Sequence, residues 1–92
     1  MLKRSLFGHA QLAREGGENA QLYYYLLQEQ GEFFQSYGAQ IDMQQGAQWE
    51  NASVRNVTTS PARMYAILEM LVKNCVTPCT LQDIILEQLN KY

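Results

Sequence analysis

The chain is poor in the residues that carry most recognisable chemistry. It has one histidine, two cysteines, two prolines and one tryptophan in 92 residues. Metal sites need about four ligands, so His9 with Cys75 and Cys79 alone falls short of a zinc site. The cysteines stand four apart, which is not the two-residue gap of redox or zinc motifs. They read as small thiols at a helix corner. Positive charge is scarce and scattered over Lys3, Arg4, Arg14, Arg55, Arg63, Lys73 and Lys91, with a formal net charge of −2. Nucleic-acid binders concentrate their cations, so the composition argues against DNA or RNA as a partner. No stretch approaches the ~18 apolar residues of a membrane span, and the N-terminus lacks the apolar run of a signal peptide. The expectation is a cytoplasmic protein with no membrane partner.

What the chain does have is apolar content, 47% hydrophobic against 17% charged, the reverse of a disordered chain. At this length it is expected to form one domain over residues 1–92.

Two regions differ in hydrophobic period. Residues 2–13 alternate, with Leu2, Arg4, Leu6, Gly8, Ala10 and Leu12 on one side and Phe7 and His9 on the other. Period-two alternation predicts a half-buried strand. Gly16-Gly17 breaks it with a turn signal. Gln21 to Glu29 follows and is apolar on both sides, with Leu22, Tyr24 and Leu26 facing one way and Tyr23, Tyr25 and Leu27 the other. Such a strand is expected to be central. Gln30-Gly31-Glu32 makes a turn, and Phe33 to Met43 reads as a third strand with Gly38 marking a bulge or close approach. Gln44-Gln45-Gly46 turns again. Residues 47–57 give a fourth strand, whose alternation slips between Trp49 and Ala52 and predicts a bulge there. The connections are too short for crossover helices, so neighbours must run antiparallel.

The remainder is helical. Thr59-Ser60-Pro61 opens a helix with Met64, Ile67, Leu68, Leu71 and Val72 in one stripe. Thr80 with Asp83 resembles a capping box before a second stripe of Leu81, Ile84, Ile85 and Leu89, with Tyr92 at the end. The predicted architecture is therefore α+β: an antiparallel meander of about four strands (residues 1–57), then two short helices (residues 58–92) packed on one face.

Lys3-Arg4-Ser5-Leu6-Phe7-Gly8, Tyr23-Tyr24-Tyr25-Leu26-Leu27, Tyr37-Gly38 and Asn74-Cys75-Val76-Thr77-Pro78 before Leu81-Gln82-Asp83-Ile84-Ile85 together carry a likeness over nearly the whole chain. By these residues the chain resembles a family of small Firmicutes proteins of unknown function. That resemblance implies a bacterial protein and transfers no activity and no site residues.

Two helices can cover only one face of the sheet, whereas the second strand is apolar on both. The uncovered face is the candidate interaction surface, with Phe7, Tyr23, Tyr25, Leu27, Phe34 and Trp49 as its residues. The expected role is a non-enzymatic interaction or regulatory module that self-associates or binds another protein. No catalytic residue and no cofactor is implied. The nine carboxylates form no acid–base pair motif, and Glu15, Glu18, Glu29 and Glu32 read as solvated turn charges. The alternative class is a small-ligand protein or enzyme with a pocket between sheet and helices. Aromatic side chains on a sheet can also stack bases, but the cations that should surround such a platform are missing.

Overall fold

A computed structural model of the chain describes residues 2–13 and 16–90. Arg14 and Glu15 of the first turn, and Tyr92 at the end of the second helical stripe, lie outside the described residues. Four eleven-residue strands come first: β1 (Leu2–Leu12), β2 (Ala20–Gln30), β3 (Gln35–Gln45) and β4 (Gln48–Thr58). They form one antiparallel sheet in the order β1-β2-β3-β4, the expected meander. Helix α1 (Pro61–Lys73), a 3-10 turn (Pro78–Thr80) and helix α2 (Leu81–Leu89) follow.

Helix α1 crosses all four strands, and α2 packs beside β4. The core lies between these layers. The sheet contributes Ala20, Leu22, Tyr24 and Leu26 from β2 and Ala39, Ile41 and Met43 from β3; the helices contribute Met64, Ile67, Leu68, Leu71, Leu81 and Ile85. Helix α1 starts as its sequence requires. Ser60 is extended, its hydroxyl accepts from the Arg63 N–H at 3.2 Å, and Pro61 follows in the first turn. The helix ends in a Schellman turn. Cys75 N–H donates to Val72 C=O and Val76 N–H to Leu71 C=O, with Cys75 at φ 49°. The buried Val76 closes the corner. Its carbonyl accepts a 2.8 Å hydrogen bond from the Tyr24 hydroxyl, which ties the corner to the central strand. Burial pushes the Tyr24 hydroxyl pKa up, with the Cys75 thiol beside it adding to the shift.

Several expectations need correction. Leu6 pairs with Tyr25 but Gly8 pairs with Tyr24, so one extra residue sits in β1 at Phe7. This bulge splits the alternating set. Leu2, Arg4 and Leu6 stay on the side away from the helices, while Gly8, Ala10 and Leu12 turn toward them. A β-carbon on Gly8 would lie 3.0 Å from Val72, so the glycine lets α1 sit close.

Strand β3 begins at Gln35 rather than Phe33. Gly31 N–H donates to Phe34 C=O and closes a turn that holds Phe33 and Phe34 at its tip. No bulge falls between Trp49 and Ala52. Pairing is regular from Gln48 to Val54 and shifts between Tyr37 and Ala39 instead, where β4 carries Asn56 at φ 57°. Trp49 and Ala52 simply occupy opposite faces. Gly38 marks the close approach foreseen for it: a β-carbon there would run into the carbonyl oxygen of Val54.

The Thr80 capping box does not form. Thr80 has helical dihedrals because the 3-10 turn runs straight into α2, and its hydroxyl donates back to Thr77 C=O at 3.3 Å.

Candidate interaction face

Strand β2 sets the face. Its inward residues Leu22, Tyr24 and Leu26 are locked under the helices, so period two sends Tyr23, Tyr25 and Leu27 outward. Antiparallel register then decides what surrounds each. Tyr23 lies between His9 of β1 and Asp42 of β3, Tyr25 between Leu6 and Gln40, and Leu27 between Arg4 and Gly38. Trp49 pairs with Gln44 on the same face.

Three rings form a row across the sheet. The Tyr23 ring lies 5.0 Å from the His9 ring and 6.1 Å from the Trp49 ring, the latter stacked at 27°. His9 Nε2 donates to Gln21 Oε1 at 2.7 Å, which fixes the imidazole. The Arg4 guanidinium sits 4.5 Å above the Tyr25 ring in cation–π geometry. Asp42 accepts from Gln40 Nε2 at 2.8 Å.

At the far end of the face, Arg55 reaches across the side-chain-free Gly38 to Glu29. Its Nε and Nη2 donate to the two carboxylate oxygens at 3.0 and 2.6 Å. This hydrogen bonding holds the Glu29 carboxyl below the usual carboxylate range.

The six residues expected on this face divide. Tyr23, Tyr25 and Trp49 share it, and Trp49 is 56% exposed. Leu27 shares it too but is only 2% exposed, with Arg4 paired opposite it and the Arg55–Glu29 bridge on the same face. Phe7 lies on the other side of the sheet, where its ring stacks 6.0 Å from Tyr65 of α1. The β1 bulge is the reason. Phe34 belongs to the β2–β3 turn and to neither face. Sequence reasoning missed Leu6, which is 61% exposed on this face, and did not count His9 among the residues of the face. The Phe7-Gly8 step in an alternating run was the available signal for the bulge.

Two small depressions lie elsewhere among the described residues. One of about 90 Å³ lies between α1 and α2, lined by Arg63, Ala66, Ile67 and Gln88. Another of about 170 Å³ is lined by Lys3, Gln28, Gln30 and Gln35. Small-molecule sites run from roughly 300 to 1,000 Å³. Among the described residues, no group of three or more His, Cys, Asp or Glu side chains is placed to hold a metal ion, and no helix is long and apolar enough to cross a membrane.

A family model described as a family of unknown function, DUF6514, matches residues 3–91. The chain belongs to DUF6514. No curated protein and no solved structure matches it. Membership carries no activity across, so any role for this DUF6514 chain has to be argued from the face itself.

Proposed function

We propose that this DUF6514 chain is a bacterial, cytoplasmic, non-enzymatic interaction module of one domain that self-associates through its open sheet face. The observation that carries the reading is the His9–Tyr23–Trp49 row, flanked by Tyr25 and Leu6, on a face that no described element of the chain covers. Tyr and Trp are enriched where interfaces are fully desolvated, because each buries a large rigid surface and keeps one polar group for a partner. Four strands ~4.8 Å apart and eleven residues long at ~3.3 Å per residue present a projected area of roughly 600 Å². A standard interface takes about 800 Å² from each partner. Isologous pairing of two such faces is the simplest closed assembly.

Light scattering across a concentration series tests this. The expected result is a species of twice the chain mass that disappears in Tyr23→Ser and Tyr25→Ser variants whose circular dichroism is unchanged. A wild-type chain that stays monomeric at every concentration removes self-association. Variants that unfold show instead that the two rings serve the core.

A further inference from the structure

We propose that the outer edge of β1, from Leu2 to Leu6, binds an extended acidic segment of another protein as a fifth strand. The site borders the open face and shares Arg4 and Leu6 with its rim, but its backbone edge does not require that face to be an interface.

The two edges of the sheet differ. Strand β4 has α2 and the 3-10 turn packed beside it, and its pairing is interrupted near Asn56. Strand β1 has β2 on one side and no described strand on the other. An antiparallel edge leaves alternate N–H and C=O groups without ladder partners, and extended peptides use such edges by adding a strand. Natural edges are blunted by proline, by bulges, by brevity or by charged side chains, and in Leu2–Leu6 the device is the pair Lys3 and Arg4, which repels a like-charged strand and not an acidic one. The β1 bulge comes only at Phe7, so Leu2–Leu6 is a regular five-residue edge, and it contains no proline.

Charge decides the occupant. The protein is acidic overall, yet its first fourteen residues contain no Asp or Glu, and Lys3 and Arg4 lie in the regular edge segment. Both are exposed and on opposite faces of the strand. The open-face side reads Leu2, Arg4, Leu6, with Leu2 46% and Leu6 61% exposed. A complementary strand therefore places apolar residues beside Leu2 and Leu6 and carboxylates beside Lys3 and Arg4. Its core reads apolar-acid-acid-polar-apolar in a parallel strand, or the reverse in an antiparallel one. A second copy of β1 would bring only cations to this edge, and is disfavoured by the same reasoning.

The probes are two capped synthetic peptides, Thr-Val-Glu-Glu-Thr-Val-Thr and its reverse, with versions carrying Lys for Glu as controls. Binding is followed by anisotropy and by amide hydrogen exchange of the intact chain. One Glu peptide is expected to bind, to slow exchange within Leu2–Leu6 and not in β4, and to weaken as salt is raised. The double variant Lys3→Glu/Arg4→Glu, at two exposed positions, should bind it roughly tenfold more weakly and gain the Lys peptide. Tyr23→Ser should leave binding intact, so loss of the open-face reading does not remove this one. The proposal is overturned if neither Glu peptide binds, if Glu and Lys peptides bind alike, or if the protected amides lie outside β1. It is also overturned if β1 amides become protected in the free protein as its concentration rises, which would assign the edge to a second copy.

Discussion

The Tyr24 hydroxyl donates to the Val76 carbonyl at 2.8 Å inside the core, from the middle of the sheet to the corner between the two helices. Both partners are buried, so neither has water as a substitute.

Tyr24→Phe should leave the Val76 carbonyl buried without this donor. The expected loss is about 1–3 kcal/mol, read from urea unfolding. The same bond sets an alkaline limit. The Tyr24 pKa is raised in the folded protein, so the unfolded chain gives up that proton first as pH rises. Stability is complete below the ordinary tyrosine value, about 10, and declines as pH climbs past it toward the folded value. Tyr24→Phe should lack that part of the decline.

Cys75 holds a left-handed conformation at φ 49°, which costs a residue with a β-carbon roughly 1–2 kcal/mol. Cys75→Gly relieves this at the loss of a half-buried thiol and should be neutral or stabilising by up to about 1 kcal/mol. Cys75→Val, β-branched in the same position, should destabilise. Thermal melts of the pair give the sign of each.

The two helix starts make a matched comparison. Ser60→Ala removes a formed cap and should cost about 1 kcal/mol. Thr80→Ala removes a hydroxyl that caps nothing and should cost less. Equal losses in denaturant melts would contradict the assignment.

Gly38→Ala should be severe, on the order of 2–4 kcal/mol. The added methyl meets the backbone of Val54 and Arg55, not the end of a flexible side chain. Two-dimensional amide spectra should show shifts concentrated in β3 and β4.

Trp49 is the sole tryptophan and sits in the aromatic row, so it reports on the open face directly. Quenching of its fluorescence by acrylamide should fall as the protein associates, and should not change with concentration in Tyr23→Ser.

The meander, the two helical stripes and the doubly apolar character of β2 were all legible, because each depends on a period sustained over many residues. The face assignments failed where a single residue broke the period. The extra residue at Phe7 moved that ring under α1 and brought Leu6 out to the open face. Alternation alone cannot show such a step, since the letters on either side still alternate. Phe33 and Phe34 have strand-like side chains, yet the Gly31–Phe34 hydrogen bond puts them in a turn. The slip near Trp49 reflected a small Ala52 facing the helices, while the true irregularity followed from the close approach at Gly38, which depends on how the backbone of the neighbouring β4 sits against it. Thr80 failed as a cap because Pro78 began a tighter turn two residues earlier. Leu27 is buried on a face where it was expected to be open, in the stretch of sheet that the Arg55–Glu29 bridge spans.

The 52 residues separating Tyr24 from Val76 also bear on biosynthesis. A ribosome delivers the whole meander before it delivers the corner that closes it. Until then Leu22, Tyr24, Leu26 and Ile41 face water on a sheet with two unprotected edges. Nascent chains halted between β4 and α2 should therefore be the species that chaperones hold and proteases clear, while the finished chain, with its lid of helices in place, escapes both.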